Sequence, residues 1–407
     1  MSSNKRGKPL LLNDDFTYTV KETIWDNGER FAFTEGPDGL GAYWPVLYAV
    51  TRLRSPGHSS GTMIGKARVI AQFHIWAERS GIDLLERLQG LRFFRPFEIE
   101  GLRQSLRSAG VGSRRGDATV SPAVWITRCR IVARYIEWHA GFGIQKLDRV
   151  DVSFQEARER LQDCQKWLVA DLPKPVPVSR EGLDEQQQAA LLRAIVPGSA
   201  ANPFPAKYQF RNFVLVLLYY QLGLRLSEAL ALKTTDLRLE GPTPRLFVVR
   251  RADDPADTRQ RQPLVKTKAR PLPVAKALAR VLWDWIIKDR KDKKIYGKAS
   301  RSEYVFVSRR GVGLSKSSAE AIFRTLRTCE GVPGNMSAHL LRHTWNDRFS
   351  RLADDAELRE AVEKQLRNFL MGWKETSEQG ASYARRATQE EADRLMLTMQ
   401  NDLVPEA

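Results

Sequence analysis

Between Asp171 and Val178 the chain reads Asp-Leu-Pro-Lys-Pro-Val-Pro-Val, with proline at 173, 175 and 177. Proline fixes φ, removes a backbone donor and drives the preceding residue out of the helical region, so three at alternate positions disfavour helix and sheet and extend the chain. No packed core runs through such a tether. The chain must therefore fold as at least two bodies, and 407 residues is long for one hydrophobic core. We place a linker at 171–182, with an N-terminal extension at 1–45, a helical domain at 46–170, a second domain at 183–387 and a tail helix at 388–407.

Phe16–Val20 and Arg30–Phe33 alternate in polarity around Asp26-Asn27-Gly28, the pattern of a hairpin that forms either a small arm or a cap on the next domain. From Tyr43 the period becomes helical. Ile64, Ala67, Ile70, Ala71, Phe73, Ile75 and Trp76 make one apolar stripe. A second helix begins at Pro122 with Ser121 as N-cap, and Trp125, Ile126, Ile131, Val132, Tyr135, Ile136 and Trp138 are its expected buried set. Beyond the linker, helices are expected at 184–195 and at 208–222, the latter so apolar that it belongs at a core's centre and ends at Gly223. Arg225 then lies in a turn just before a helix at 227–232. Arg245–Val249, Pro263–Thr267 and Arg270–Val274 read as short strands, and helices resume at 274–288, 317–328, around His339 and at 355–369. The tail places Ala392, Leu395, Met396 and Met399 on one side of a helix. The fold class is mainly α with a small antiparallel β-sheet.

Sixty-five Lys and Arg against 48 Asp and Glu leave a net charge of +17, which points to a polyanionic partner, nucleic acid first. Arg103, Arg107, Arg114, Arg115, Arg128, Arg130 and Arg134 concentrate guanidinium groups in the first helical domain, where they can lie against phosphates. No apolar run approaches a membrane span and the first residues lack a signal-peptide core, so a soluble cytoplasmic, nucleoid-associated protein is expected. The three cysteines, 129, 164 and 329, form no Cys-x-x-Cys pair, which argues against a zinc ribbon and a disulfide framework.

The densest chemistry lies at Ser337-Ala338-His339-Leu340-Leu341-Arg342-His343-Thr344. Helical geometry puts His339 and Arg342 on one face, where together they can hold one anion. His339 and His343 also stand four apart, but the residues between them lack the glutamate of a His-Glu-x-x-His zinc site and put a cation beside the supposed metal. No metal or other cofactor is expected, and no glycine-rich phosphate loop occurs.

Gly223-Leu224-Arg225-Leu226-Ser227-Glu228 upstream, Gly372-Trp373 downstream and Tyr383 ten residues later complete an ordered set of motifs. From about Leu183 to Tyr383 the chain resembles the tyrosine recombinase, or phage integrase, family. The resemblance implies a helical core-binding domain followed by an α+β integrase-type catalytic domain, the two closing around a duplex. It matches Arg225 to the family's first arginine, Lys266 to the hairpin lysine, His339 and Arg342 to the His-x-x-Arg pair, and Tyr383 to the nucleophile. Trp373 takes the place usually held by histidine. Lys268, two residues beyond Lys266, competes for the lysine's place.

The chemistry suits these types. Arginine forks neutralise nonbridging phosphate oxygens, imidazole and indole N–H groups add hydrogen bonds, a lysine protonates the leaving 5′-oxygen, and a phenol attacks. The resemblance implies cleavage through a 3′-phosphotyrosine without metal or ATP, double-stranded DNA as partner, a homotetramer on paired sites, and accessory recombinases or DNA-bending proteins as helpers. A mobile-element integrase or transposase is the expected function. A type IB topoisomerase-like enzyme and a catalytically inactive DNA-binding accessory protein are the alternatives.

Overall fold

The computed structural model describes residues 18–54, 59–109, 119–173 and 181–373. These divide into two compact units, 18–25 with 30–173 in the first and 26–29 with 181–373 in the second.

The first unit opens with the antiparallel hairpin of β1 (Thr19–Ile24) and β2 (Arg30–Glu35), in register from Thr19 against Glu35 to Ile24 against Arg30. The hairpin is a cap, because Phe31 and Ala32 enter the core. Short α1 (Tyr43–Tyr48) runs on into a π-helical turn (Ala49–Leu53), and further along the chain lie α2 (Ser60–Arg79), α3 (Leu84–Gln89), α4 (Pro96–Arg107), α5 (Pro122–Ile144) and α6 (Val152–Val169). The expected stripe of α2 is buried, and Phe73 has no exposed surface.

Helix α5 departs in detail from the expected set. Cys129, Val132, Ala133, Tyr135, Ile136, His139 and Ala140 are buried, whereas Trp125, Ile131 and Trp138 lie only partly inside. Trp125 stays at the margin because its indole N–H donates to the Arg103 carbonyl at 3.0 Å, with the Arg103 and Arg107 guanidinium groups over its ring. Ser121 occupies the N-cap position, yet its side chain accepts no capping hydrogen bond.

The second unit begins with α7 (Glu185–Ile195), where Asp184 and Gln187 form a reciprocal cap. Then come α8 (Ala206–Leu222), α9 (Leu226–Ala231), β3 (Leu237–Arg238), β4 (Arg245–Val248) and β5 (Arg270–Pro273). The unit closes with α10 (Lys276–Ile287), α11 (Lys293–Tyr296), α12 (Lys316–Leu326), α13 (Ala338–Asp355) and α14 (Glu360–Met371). Helix α8 is central and packs on α7, α9, α10 and α13, with Val214, Leu215, Leu218 and Tyr219 fully buried.

The sheet is antiparallel in the order β3-β4-β5, and its pairing corrects the sequence reading. β4 pairs directly with β5, Leu246 against Leu272, while Pro263–Thr267 forms no strand. Proline lacks a ladder donor at its start, and Thr267 turns inward to a carboxylate, so this segment leaves the sheet. The polar insert before it is a strap held by ions. Arg251 pairs with Asp236 at 2.5 Å, and Arg259 pairs with Asp257 at 2.7 Å while donating to the Leu230 and Leu314 carbonyls. Where the chain enters the unit, the N–H groups of Gly182 and Leu183 donate to Asp347 and Thr344 of α13, each at 2.8 Å. Among the described residues no helix is long and apolar enough to cross a membrane.

Candidate active site

The site grows from one buried carboxylate. Glu228 sits on the first turn of α9, and the Arg225 backbone N–H donates to it at 2.9 Å. Its side chain has no exposed surface and faces three guanidinium groups: Arg270 at 3.1 Å, Arg225 at 3.5 Å and Arg342 at 4.0 Å. Thr267 Oγ1 donates to it at 2.6 Å. Burial pushes this carboxyl's pKa up, but Arg270, Arg342 and the Thr267 hydroxyl outweigh it and hold the group below its ordinary value. Three guanidinium cations therefore share one carboxylate, and the cluster keeps a net positive charge that suits an anion.

The second anchor is the carboxyl end of α14. Arg342 donates to Met371 O at 3.1 Å and to Gly223 O at 2.6 Å, Arg270 donates to Leu370 O at 2.6 Å, and Arg225 approaches Met371 O at 3.5 Å. Carbonyls left open at a helix end are natural guanidinium acceptors. Gly372 makes this possible. It is left-handed at φ +65°, and a Cβ there would come within 2.6 Å of an Arg270 nitrogen and 2.9 Å of Thr267 Cβ. The turn then returns Trp373 N–H to Asn368 O at 2.9 Å, which lays the indole against the Arg342 guanidinium, 5.4 Å from its carbon to the ring centre. Gly223 ends α8 in the same conformation at φ +59°, packed against Trp345.

Of the predicted residues, Arg225 is the N-cap of α9 and its side chain is 30% exposed. Arg342 is buried at 1%, and Trp373 is buried beside it. His339 is exposed at the first turn of α13, whose N-cap Ser337 accepts from Leu340 N–H. Its Nε2 lies 3.1 Å from Nε2 of His343. Lys266 and Lys268 are both exposed, on either side of inward-pointing Thr267. The Lys268 N–H donates to Gly372 O at 3.1 Å, which ties this stretch to the Trp373 turn. The Lys266 ammonium lies close enough to Lys316 to help depress the latter's pKa, an effect second to burial. Tyr383 lies outside the described residues, as do the linker core and the tail.

Sequence reasoning missed Arg270 and Thr267, and gave Glu228 no part beyond its place at the end of the Gly223–Glu228 motif. Arg270 heads a strand of alternating prolines, a position that carries no sign of burial until Glu228, 42 residues earlier, is folded against it.

The first unit has a basic cleft of about 520 Å³, lined in part by Arg52, Lys66, Arg134 and Glu137 with Tyr48 and Trp138. Burial and then the Arg134 charge push the Lys66 pKa down. Cations beside aromatic faces suit a phosphate with a sugar or base against it. Arg114 and Arg115 lie outside the described residues.

A mainly helical unit with a small sheet, built around converging arginines and a His-x-x-Arg helix, has the architecture of a DNA strand-exchange domain. The model of the phage integrase family matches residues 182–390, just over half of the chain. The chain belongs to that family, the tyrosine recombinases, and is a DNA-cleaving and rejoining enzyme. Among solved structures, the Tn1549 transposon integrase in complex with transposon right end DNA has the same fold at 17% identity and a TM-score of 0.51, covering 86% of this chain and 98% of that one. The XerH site-specific recombinase bound to a palindromic difH substrate aligns at 14% identity and a TM-score of 0.42, over 75% and 85% of the two chains. No curated protein matches by sequence.

Proposed function

We propose that this protein is the site-specific recombinase of a mobile element, cutting and rejoining double-stranded DNA through a 3′-phosphotyrosine formed by Tyr383. The observation that carries the reading is the convergence of Arg225, Arg342 and Trp373 on the carboxyl end of α14, with His339 one turn before Arg342 on α13. These groups come from three separate motifs, and cations with N–H donors at one place are what a phosphodiester's nonbridging oxygens require. The family match runs to residue 390 and so includes Tyr383.

In this reading the Tyr383 oxygen attacks phosphorus, the P–O5′ bond breaks, and the phenolic proton leaves as the bond forms. Arg225 and Arg342 bind the nonbridging oxygens, His339 and Trp373 donate hydrogen bonds to them, and Lys266 protonates the departing O5′. The phosphotyrosine conserves the phosphodiester bond energy, so a 5′-hydroxyl from another strand reverses the step. The helical first unit serves as the core-binding domain, its basic cleft lying on phosphate backbone, and the proline-spaced tether lets the two units close on a duplex. Four protomers act on paired sites.

The test is a nicked suicide substrate carrying a site from the gene's flanks, in EDTA and without nucleotide. A denaturation-resistant protein–DNA adduct is expected from the wild type and none from Tyr383→Phe, with DNA binding retained in both. Binding without an adduct in the wild type sinks the reading in favour of an accessory DNA-binding protein. Rejoining confined to the original strand would favour a topoisomerase-like enzyme.

A further inference from the structure

Val265, Lys266 and Thr267 are buried, exposed and buried in turn, so the lysine is anchored on both sides. The two anchors differ in kind. Val265 belongs to the unit's apolar core. Thr267 is held by polar contacts: its hydroxyl donates to Glu228 Oε1 at 2.6 Å and accepts from the Arg270 guanidinium at 3.0 Å. The stretch lies outside the sheet, so no ladder of strand hydrogen bonds fixes it. A few directed side-chain bonds do that work instead.

Arg270 is the centre of this arrangement, with only 2% of its side chain exposed. It reaches three elements at once: Thr267 Oγ1 ahead of β5, both carboxylate oxygens of Glu228 on α9 at 3.1 and 3.3 Å, and the Leu370 carbonyl at the end of α14 at 2.6 Å. A planar guanidinium has donors enough, in fixed directions, to serve all of them, whereas a lysine ammonium is a point charge on a flexible stem. A side chain so deeply buried acts on the reaction through its neighbours.

We propose that Arg270, through the Thr267 hydroxyl, is a positioning residue that holds Lys266 where its ammonium can reach the departing O5′. The inference rests on the reading above that Lys266 is the leaving-group acid. In that step the ammonium gives one proton to O5′ as the P–O5′ bond breaks, leaving a neutral amine and a 5′-hydroxyl. A misplaced lysine slows the step only as far as the leaving group needs that proton.

This dependence separates positioning from a merely structural role. A bridging sulfur in place of O5′ leaves as a thiolate, whose conjugate acid has a pKa of about 8.5 and which needs no proton, so a defect confined to the acid disappears with it. Single-turnover adduct formation is followed with full-length protein on nicked suicide duplexes carrying oxygen or sulfur at the scissile position. Thr267→Val removes the hydroxyl and leaves the Arg270–Glu228 pair in place. It should slow the oxygen substrate about tenfold, the value of one hydrogen bond, and leave the sulfur substrate near the wild-type rate. Arg270→Lys keeps a charge beside Glu228 without the fork and should show the same selective loss. Thr267→Ser restores the hydroxyl and should recover the oxygen rate. Lys266→Ala sets the scale, with roughly a hundredfold loss on oxygen that sulfur restores.

A Thr267→Val variant slowed equally on both substrates, or not slowed on oxygen, overturns the proposal, and so does a Ser variant as slow as Val. Failure of the underlying reading shows separately. A wild type that forms no adduct on either duplex removes the phosphotyrosine, and a Lys266→Ala defect that sulfur does not restore removes the lysine's role; either takes the proposal with it.

Discussion

The two units bury different things. The first is closed by apolar and aromatic packing: Phe73, Tyr135, Leu88 and Leu102 lie at its centre, and its described histidines, buried His139 and partly buried His74, have their pKa values pushed down. Burial pushes His139 down to about 4, and burial with the His139 neighbour pushes His74 down to about 3. His74 bonds the Tyr135 hydroxyl at 2.9 Å, and His139 packs edge-on against Trp44. The second unit buries charge: Glu228, Asp257, Arg259, Arg270, Arg290, Arg342 and Arg367 are all nearly inaccessible. A core made only of hydrocarbon excludes water from itself. One that buries cations has to hold them against counter-groups, and here buried carboxylates and helix-end carbonyls supply them.

The sharpest way to break this contrast is to remove the central carboxylate. Glu228→Ala leaves buried guanidinium groups without their counter-charge, and urea unfolding should show the second unit destabilised by about 3–5 kcal/mol with the first-unit transition unmoved. A joint shift of both transitions would mean that the units do not hold themselves together by separate means.

Acid should act the other way. A histidine whose folded pKa is depressed favours the native state fully above its unfolded value of about 6.5, and that stability is lost as pH falls toward its folded value. Between pH 7 and pH 5.5 the first unit should lose about 2–3 kcal/mol from His74 and His139 together. Glu228, its pKa held down, stays ionised through this window, so the second unit should not respond through it. Calorimetric scans across this range check the difference, and a first-unit transition flat in pH contradicts it.

The smallest effect concerns the surface of the first unit. Arg134→Ala should flatten the slope of log K against log salt by about 1 and weaken DNA binding uniformly across sequences, because a phosphate contact carries charge without base readout. An unchanged slope places the cleft off the DNA.

Legibility in the sequence followed the range of the interactions. Helix α8 is readable as a central element because an apolar run through 208–222 has one stable destination, and Gly223 marks its end. Arg225, His339 and Arg342 are readable because their neighbours in the chain form short motifs. Pro263–Thr267 misleads because its strand-like composition is overruled by Thr267's bond to Glu228, 39 residues earlier. Trp125 and Trp138 mislead because large aromatic side chains serve equally well at a core's margin.

By itself the sequence determined that the chain is strongly basic, mainly helical, and carries arginine, histidine and tryptophan motifs in the order of its family. These follow from local backbone chemistry, periodicity and net charge, none of which depends on a distant partner. Only the tertiary structure decided that Arg270 and Thr267 belong with Glu228, that three arginines meet at the last carbonyls of α14, and that His343 faces His339 through Nε2. Buried charge and directed hydrogen bonds need partners brought from elsewhere in the chain or set at one rotamer, and only the packed fold specifies them.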